Sequence, residues 1–492
     1  MHRFVAALLL AVVSFASQSH AQRDNLAYLD ELVQLSMQNW KVPGTALVLV
    51  HNDQVVWVKG YGQRSTDDKL PVTSATVFPL ASCSKSFTSA AIAQLVHEGK
   101  LHWDDRVTKH LPNFRLHDPK ATELVTIRDL LSHRTGVGGH DLLWYRAPWQ
   151  PAESIRRLAH LPASGTFRGS FYYQSVMYMA LGEIIAKHHD KHWAGYVREH
   201  ILAPLGMEQT FLTYSEGQKQ PDAAVAYRRS AKGTIEAIPW YTQEQPNAAG
   251  SVCISANDLG RWLRFQITGR SATKRILPME IIAEMHRPHT VIPLEGFSRI
   301  LNPDSVQLSY AQAWIVQDYR GIKLVQHGGL IDGFRVHLTM LPDLKIGLGI
   351  LTNLHDTRMP LALSNLVIDY VLKFPPKDWN AYYGAVVRED EKAKEEAAMR
   401  LERERDPNSK PSVALNQFAG EYEHPAYGTC RIVASGSQLR CDWSSFKVTL
   451  EHISGDRFLA RNLYLNDPLV EFSIGEKKVK GLRFLDMDFA RK

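Results

Sequence analysis

The sequence lacks the features that would place it in several common protein classes. It has only four cysteines among 492 residues, which excludes a small fold held together by disulfides. Beyond the N-terminus it has no run of about 18 consecutive apolar residues, so a membrane-spanning helix is not predicted. It also has no long Lys/Arg run, and its formal charge of +6 is spread over 57 basic and 51 acidic residues. A nucleic-acid-binding groove is therefore not expected.

The N-terminus has the pattern of a secretory signal peptide. Met1-His2-Arg3 supplies a positive charge, residues 4–16 are almost all apolar, and Ser19-His20-Ala21 is a small-x-small cleavage signal. The apolar run is too short to cross a bilayer as a helix, and no cysteine directly follows it to carry a lipid anchor. The sequence thus predicts removal of residues 1–21 and export of a mature chain, either to a periplasm or to the medium.

Composition divides the remaining chain into three zones, consistent with about two or three domains. Residues 22–374 mix strand-like and helix-like segments and predict the main domain. Residues 375–411 are strongly charged, and within them residues 388–405 predict a solvated helix that serves as a linker. Residues 412–492 consist of short alternating segments separated by turn residues, as in a small β domain.

Strands are predicted at both ends of the first zone. Two apolar runs, 46–50 and 55–60, flank a short polar turn and predict a β-hairpin. A second apolar pair, 337–341 and 346–351, flanks Pro342-Asp343 near the end of the zone. Strands so far apart in sequence predict an α/β fold in which distant segments assemble one sheet.

Helices are predicted between and after these strands. Apolar residues recur at helical spacing over 86–98, where Gly99 supplies the end, and over 361–372. Thr126-x-x-Asp129 and Ser255-x-x-Asp258 are patterns typical of helix N-termini.

Ser82-Cys83-Ser84-Lys85 fits the pattern S-x-x-K at the start of the first of these helices. Residues three apart share a helix face, so the Ser82 hydroxyl and the Lys85 ammonium are expected to be neighbours. A serine hydroxyl is a poor nucleophile at neutral pH and needs a base. A lysine can serve as that base if burial or nearby positive charge lowers its pKa. The pattern alone also fits an ordinary polar helix start, since chance matches to it are common.

Four sequence blocks occur in a fixed order around and after this serine, and they carry a family resemblance. They are Phe78–Thr88 with its continuation Leu95–Leu101, Thr126–Gly136, Gly165–Gly182 and His327-Gly328-Gly329. They resemble the blocks of the serine β-lactamase-like superfamily, which contains penicillin-binding proteins, class C β-lactamases, D-amino-acid peptidases and related esterases. The resemblance implies a central antiparallel sheet flanked by helices, with an all-α subdomain. It also implies acyl transfer through Ser82, without a metal or a cofactor.

Tyr173 matches the tyrosine of the superfamily's Y-x-N motif, as its spacing to Tyr178 indicates. The resemblance implies that it exchanges protons with the nucleophile and the leaving group. A phenol with a pKa near 10 is a poor base at pH 7. Two flanking positive groups, Lys85 and His327, are expected to lower that pKa. The neighbouring aromatic residues of this segment are expected to lie in the core.

Ser175 departs from the superfamily, because an asparagine usually ends this motif. Serine is shorter and keeps only a hydroxyl for the contact that the asparagine amide makes with a substrate carbonyl. Substrates that rely on this contact, β-lactams included, are therefore expected to react weakly, whereas simple esters should suffer less.

His327-Gly328-Gly329 occupies the place of the superfamily's third motif, H-x-G or K-T-G. The resemblance implies that His327 faces the substrate pocket and that Gly329 lies on an edge strand, close to the substrate backbone. It also implies an oxyanion hole made of the backbone N–H groups of Ser82 and Leu330. A lone histidine on a strand is more often structural, so this role depends on the order of the blocks.

Two further histidine patterns stay outside the catalytic set. His140-Asp141 follows a glycine-rich segment, and either substrate selection at the pocket rim or a structural pair fits it. His188-His189-x-x-His192 has no acidic or cysteine partner at ligand spacing, so a metal site is not predicted there.

The chemistry of an acyl-enzyme does not fix the substrate, since peptides, esters and β-lactams all enter that scheme. The preferred hypothesis is a peptidase or amidase that acts on peptides with D- or otherwise unusual residues, such as peptidoglycan stems or non-ribosomal peptides. The alternatives are a carboxylesterase and a β-lactamase of the same fold. A hypothesis from another class is a receptor that binds or acylates without turnover.

The C-terminal zone resembles the small lipocalin-like β domain of some relatives. In it, Cys430 and Cys441 flank a segment whose middle pair, Ser435-Gly436, suits a two-residue hairpin turn. Counting outward from that turn places Cys430 opposite Cys441, which predicts a disulfide in an oxidising compartment. Cys83 and Cys253 are expected to stay reduced.

Overall fold

The computed structural model describes residues 27–188, 192–230, 232–243 and 245–492. The predicted signal peptide lies outside these residues. The described chain forms two compact units, each built from two separate stretches of sequence. We call them the sheet unit, which comprises residues up to Glu98 and Trp193–Val387, and the barrel unit, which comprises Gly99–His192 and Arg388–Lys492. The domain boundaries suggested by composition, at residues 374 and 411, stay predictions.

The sheet unit contains fourteen described strands. They are β1 (Gly44–His51), β2 (Gln54–Ser65), β3 (Leu70–Pro71), β4 (Val77–Pro79), β5 (Thr210–Phe211), β6 (Ala226–Arg229), β7 (Ile235–Ile238), β8 (Cys253–Ser255), β9 (Thr290–Val291), β10 (Leu308–Tyr310), β11 (Ile315–Tyr319), β12 (Ile322–Ile331), β13 (Phe334–Leu341) and β14 (Ile346–Thr352). Nine of them form one antiparallel sheet in the order β3-β2-β1-β14-β13-β12-β11-β10-β9. The others form a small sheet, β4-β8-β5, and the hairpin β6-β7.

The order of this sheet confirms that distant segments assemble it. The N-terminal strand β1 pairs with β14 from near the end of the unit, with Thr45 opposite Thr352. Both predicted hairpins are present, and in the first of them Asn52 and Asp53 have φ values of 48° and 69°. Two residues with positive φ form the type I′ turn that matches the twist of the paired strands.

The helices of the chain are mostly short. They are α1 (27–40), α2 (Lys85–His97), α3 (Val107–His110), α4 (Pro119–Leu124), α5 (Ile127–Leu131), α6 (Pro151–Arg157), α7 (Ser175–Lys187), α8 (Trp193–Val197), α9 (Ala203–Leu205), α10 (Tyr214–Gln218), α11 (Ala256–Thr268), α12 (Met279–Met285), α13 (Gly296–Leu301), α14 (Met359–Val371), α15 (Trp379–Arg403) and α16 (Leu415–Phe418). Short 3₁₀ turns occur at Ala81–Ser84, Asp141–Leu143, Leu158–His160 and Pro342–Leu344, and a π-helical turn occurs at Arg198–Leu202. The predicted helix starts at Thr126 and Ser255 are confirmed, because each hydroxyl accepts the backbone N–H three residues on.

Helices cover both faces of the nine-stranded sheet. On one face, apolar residues of α1 and α14, such as Leu32 and Leu363, join Leu47 and Leu49 of β1 in one buried cluster. On the other face, α11 lies so close that a Cβ at Gly349 would stand 2.4 Å from the Leu259 side chain. The sheet and its two helical layers confirm the predicted fold class.

Helix α15 begins earlier than the charged composition of residues 388–405 predicted. The reason is an aromatic pair at helical spacing: Trp379 and Tyr383 are buried and stacked, with ring centroids 5.6 Å apart. The Trp379 indole N–H also donates to the Asp369 carboxylate at 2.7 Å. The first turn of α15 therefore belongs to the core of the sheet unit.

The C-terminal strands of the barrel unit close into an eight-stranded antiparallel barrel, which confirms the predicted all-β domain. Its strands are β15 (Gly420–His424), β16 (Gly428–Ser435), β17 (Gln438–Trp443), β18 (Phe446–Ser454), β19 (Arg457–Ala460), β20 (Leu469–Gly475), β21 (Lys478–Phe484) and β22 (Met487–Arg491). Among the residues that the structure describes, no helix combines the length and the apolar character needed to cross a bilayer.

The register predicted for the two barrel cysteines is wrong. Ser435 pairs with Gln438, so the turn lies one residue further on than expected and Cys430 stands opposite Trp443. Moving a turn by one residue shifts the register by two, which keeps both cysteines on the same face of the hairpin. Their sulfurs are consequently still only 3.3 Å apart, as thiols. The disulfide itself stays a prediction.

Candidate active site

The turn that carries Ser82 joins β4 to α2. The Leu80 backbone N–H donates to the Val252 carbonyl at 2.8 Å, which fixes the chain just before the turn. Ala81 then takes a left-handed conformation, with φ of 47°. Ser82 follows as a partly exposed residue, and the Lys85 backbone N–H donates to the Ser82 carbonyl, as at the start of a helix. The predicted nucleophile thus lies just before the N-terminus of α2 and is accessible to solvent.

Lys85 is the buried partner of this serine. Its side chain is 1% exposed, and its Nζ lies 3.5 Å from Ser82 Oγ and 2.9 Å from the Ala249 carbonyl oxygen. The predicted proximity of the two side chains is therefore present in the structure. A lysine can accept a proton from a serine only in its neutral form.

The carbonyl that holds Lys85 belongs to a turn that the sequence analysis missed. Ala249 N–H donates to the Asn247 side-chain oxygen at 2.9 Å, and the Asn247 N–H donates to the Ser251 hydroxyl at 2.8 Å. The nearby Thr88 hydroxyl of α2 donates to the Ala248 carbonyl at 2.6 Å. Asn247 and Ser251, with small residues between them, were the only available signal in the sequence for this tight polar turn.

Strand β12 lies directly against the nucleophile turn. A Cβ at Gly329 would stand 2.2 Å from the Leu80 carbonyl oxygen, so only glycine allows this approach. The prediction that this strand lies at an edge of the sheet is wrong, because β12 lies between β11 and β13. However, its pairing with β11 ends at Gln326, so the segment from His327 onward extends past that neighbour. Leu330 in this segment is 43% exposed.

His327 is buried and uncharged. Its Nε2 lies 3.1 Å from the Tyr310 hydroxyl and its Nδ1 lies 2.7 Å from the Gly328 carbonyl oxygen. Burial, together with the positive charge of Lys85, lowers the pKa of His327 to about 3. At neutral pH the imidazole therefore carries no charge, and the expectation that it is a second positive group is wrong. A neutral imidazole has one donor and one acceptor nitrogen, so these two contacts engage both of them.

Cys83, next to the nucleophile, is a buried thiol. Burial raises the pKa of Cys83 well above its usual value, and its Sγ–H donates to the His327 carbonyl at 3.3 Å. A thiol that stays protonated is a poor nucleophile. Cys83 therefore packs β12 against the nucleophile turn and does not compete with Ser82.

The Tyr173-Gln174-Ser175 motif begins α7 in the barrel unit. Gln174, the middle residue, holds the segment: its side-chain oxygen accepts from Val176 N–H at 3.0 Å and its amide donates to the Gly138 carbonyl at 2.6 Å. Tyr173 is partly buried, and Ser175 is 3% exposed in the first turn of the helix. Gln174, at the middle position of the motif, thus caps the N-terminus of α7.

His133 supports this motif, and the sequence analysis did not single it out. Its ring centroid lies 4.4 Å from that of Tyr173, and its Nδ1 accepts from the Gln174 N–H at 3.2 Å. His133 is buried and has φ of 54°, so it occupies a tight turn after α5. Of the three neighbouring aromatic residues predicted in the core, Tyr178 is buried, and its hydroxyl donates to the Leu131 carbonyl at 2.6 Å. Phe171 and Tyr172 are only partly buried, so the prediction is wrong for them.

Asp129 anchors the loop that precedes this motif. Its carboxylate is buried, completes the capping box with Thr126, and accepts from Arg134 Nε at 2.5 Å and from an Arg168 guanidinium nitrogen at 2.7 Å. Burial opposes ionisation, but the hydrogen bonds from Arg168 and the charge of Arg134 outweigh it and lower the pKa of Asp129.

His140 and Asp141 do not bond to each other. His140 Nδ1 lies 2.9 Å from the Tyr427 hydroxyl of the barrel, whereas Asp141 accepts from the Trp144 indole N–H at 2.8 Å. His188 Nε2 lies 3.2 Å from His110 Nδ1. His189, the second histidine of that pattern, is outside the described residues.

Comparison with known proteins adds to this geometry. The beta-lactamase family model matches residues 29–372, and a domain of unknown function, DUF3471, matches residues 404–492. The chain is 27% identical over 470 residues to the unguisins hydrolase ungD of Aspergillus violaceofuscus, covering 86% of this chain and 81% of the relative.

Two solved structures share the fold. The octameric penicillin-binding protein homologue from Pyrococcus abyssi has a TM-score of 0.63 and 24% identity, covering 95% of this chain and all of that one (100%). The D-amino acid amidase from Ochrobactrum anthropi SV3, complexed with L-phenylalanine amide, has a TM-score of 0.58 and 22% identity, covering 71% of this chain and 98% of that one.

Proposed function

Because the chain belongs to the beta-lactamase family and is a serine hydrolase, we propose that it works through an acyl-enzyme on Ser82. The observation that carries the proposal is the buried Lys85 side chain, whose Nζ lies 3.5 Å from Ser82 Oγ and acts as the base in its neutral form. Lys85 takes the serine proton as Ser82 Oγ attacks the substrate carbonyl carbon. An ester bond to Ser82 forms, the scissile C–N or C–O bond breaks, and the leaving group departs with a proton. Water then hydrolyses the ester and frees Ser82.

The other site residues take supporting roles in this proposal. Tyr173 passes the proton to the leaving group, and Ser175 contacts the substrate amide. The backbone N–H groups of Ser82 and Leu330 stabilise the oxyanion, because Gly329 lets β12 lie against the nucleophile turn. His327, neutral at neutral pH, binds the substrate without a charge, by exchanging its Nε2 contact with the Tyr310 hydroxyl for a substrate group.

The proposed substrates are peptides or amides that contain D- or otherwise unusual residues, such as peptidoglycan stems or non-ribosomal peptides. One relative is named as a hydrolase of unguisins, and one structural neighbour is named as a D-amino acid amidase, which supports an amide bond as the target. A carboxylesterase is the second candidate, because Ser175 removes an amide contact that esters do not need. A dedicated β-lactamase is disfavoured for the same reason.

A receptor that binds without turnover is the alternative from another class. The presence of Ser82, Lys85 and Tyr173 together argues against it, since a receptor has no use for proton transfer to a leaving group. Export is also part of the proposal, and it is supported by the signal-peptide pattern of residues 1–21. Fractionation of cells that express the full chain, compared with cells that express a chain without residues 2–21, tests the export.

Intact mass measurement after incubation with a fluorophosphonate, a penicillin and a D-Ala-D-Ala peptide tests the mechanism. The fluorophosphonate should add one stable adduct on Ser82, and the peptide should be hydrolysed. Ser82→Ala should abolish both, a loss of at least about 10³-fold. Ser84→Ala is the matched control on the same turn: its hydroxyl accepts from the Val252 N–H at 3.0 Å, and its loss should leave the adduct in place. An adduct that persists in Ser82→Ala rules out the proposal, and a penicillin adduct without turnover of the peptide or an ester supports the receptor.

A further inference from the structure

The barrel docks on the segment that leads to Tyr173, and it does so through specific polar contacts within the barrel unit. The turn between β15 and β16 contributes Ala426, whose carbonyl accepts from the Arg157 guanidinium at 2.7 Å. The same turn contributes Tyr427, whose hydroxyl lies 2.9 Å from His140 Nδ1. A third contact joins the Ser445 hydroxyl to the Arg146 carbonyl at 2.6 Å. The barrel therefore contacts residues 140–157 at several points.

Tyr427 is itself held rigidly by the barrel. Its ring is 4% exposed and stacks on Trp443, with ring centroids 5.9 Å apart. The Trp443 indole N–H donates to the Tyr427 carbonyl at 2.9 Å, and the Tyr427 N–H donates to His424 Nδ1 at 3.1 Å. Burial raises the pKa of Tyr427, so its hydroxyl stays protonated and can donate. A residue whose backbone is hydrogen-bonded and whose ring is stacked is a suitable anchor for a loop.

The loop that Tyr427 contacts leads directly to Tyr173. Burial lowers the pKa of His140, so its neutral imidazole can accept the Tyr427 proton. The two residues before His140 touch the motif: the Gly138 carbonyl accepts from the Gln174 amide at 2.6 Å, and a Cβ at Gly139 would stand 3.2 Å from the Tyr173 carbonyl oxygen. The path from barrel to motif thus runs through Tyr427, His140 and Gly138.

We infer that Tyr427 is a positioning residue for Tyr173, and that the barrel sets the geometry of the proposed proton transfer through the loop of residues 138–140. This inference rests on the proposed function, because it takes Tyr173 as the residue that passes the proton. Proton transfer by Tyr173 depends on precise geometry, so a hydrogen bond that fixes the neighbouring loop should affect this step more than substrate binding. Loss of the Tyr427 hydroxyl consequently affects kcat and leaves KM almost unchanged.

The experiment compares wild type, Tyr427→Phe, His140→Ala and the double variant in hydrolysis of ethyl butyrate, an ester whose alkoxide leaving group needs a proton to depart, with the acid released followed by titration. Phenylalanine keeps the ring on Trp443 and removes only the hydroxyl. Tyr427→Phe should lower kcat about three- to tenfold, with KM within about twofold of wild type; its unfolding temperature should fall by a few degrees, and the variant should remain folded at the assay temperature. The kcat of the double variant should be no lower than that of the more impaired single variant, because both substitutions break the same path. Ser445→Ala, which removes a different contact of the barrel with residues 140–157, should keep the wild-type kcat.

Two results with Tyr427→Phe alone overturn the inference while the proposed function stands. One is an unchanged kcat in Tyr427→Phe, and the other is an effect on KM alone, which would assign the loop to substrate selection. Losses that simply add in the double variant also overturn it. A wild-type chain that neither hydrolyses the ester nor takes the fluorophosphonate on Ser82 refutes the proposed function itself, before any variant is compared.

Discussion

The turn of Ser82 and the turn of Tyr173 are held in place by different kinds of contact. The first is fixed mainly by main-chain groups: the carbonyls of Val252 and Ala249 receive Leu80 N–H and Lys85 Nζ, and Gly329 touches the Leu80 carbonyl. The second is fixed mainly by side chains, namely Gln174, His133, Asp129 and, through His140, Tyr427. The first turn should therefore be sensitive to added volume, and the second to the loss of a polar partner.

The largest effect is expected from removing the proposed base, Lys85, at the first turn. Lys85→Met keeps the length of the side chain and removes the base, so acylation of Ser82 should slow by about 10³-fold or more. The rate of fluorophosphonate labelling, followed by mass, measures the loss. Lys59→Met, which removes an exposed ion pair with Asp30, should label at the wild-type rate. Labelling of Lys85→Met within tenfold of wild type would mean that another group activates Ser82.

A smaller effect is expected from removing a charge under the second turn. Asp129→Asn leaves Arg134 and Arg168 without their buried counter-charge, which should lower the free energy of unfolding by about 3 kcal/mol. Asp104→Asn is the matched control: its ion pair with Arg128 is exposed, and its loss should cost at most about 1 kcal/mol. Urea unfolding followed by circular dichroism compares the two.

The pH dependence of this difference follows from the lowered pKa of Asp129. A carboxyl group whose pKa is lower in the folded state stabilises the fold fully above its unfolded-state pKa, about 3.9. The difference between wild type and Asp129→Asn should thus be constant from about pH 5 to pH 8. It should shrink as the pH falls below about 4 and Asp129 becomes protonated in the wild type. An equal difference at all pH values would contradict an ionised Asp129.

The smallest of the three effects tests the sensitivity of the first turn to volume. Gly329→Ala puts a Cβ 2.2 Å from the Leu80 carbonyl oxygen and should lower the free energy of unfolding by about 1–3 kcal/mol. Gly328→Ala is the neighbouring control, because there the Cβ finds its nearest atom, His337 Nδ1, at 3.7 Å. Equal unfolding temperatures for the two variants would show that β12 can move away from the nucleophile turn at little cost.

The sequence predicted those parts of the site that depend on local spacing. Ser82 and Lys85 are three residues apart on a helix start, so their proximity follows from helix geometry alone. The capping box of Thr126 and Asp129 is local for the same reason. The Ala249 carbonyl was missed because it is a main-chain group, and no residue type signals where a carbonyl will point.

Other features escaped prediction because they depend on contacts between distant segments. The charge of His327 is set by burial of its ring and by the charge of Lys85, which is distant in sequence, and a pattern of residues does not report either. The Tyr427 contact joins residues 140 and 427, and no periodicity links them. In the barrel hairpin, the turn residues themselves misled the prediction, since both Ser435-Gly436 and Gly436-Ser437 suit a two-residue turn.

Ala81 shows what the nucleophile turn demands of its backbone. Its left-handed φ of 47° costs an alanine about 1–2 kcal/mol, whereas glycine adopts it freely. A glycine would, however, give the unfolded chain more conformations to lose, a penalty of about 0.5–1 kcal/mol. The first term is the larger, so thermodynamic stability alone favours glycine at this position by about 1 kcal/mol. Alanine has fewer accessible backbone conformations than glycine, so it restricts the backbone just before Ser82 and with it the direction of the Ser82 hydroxyl.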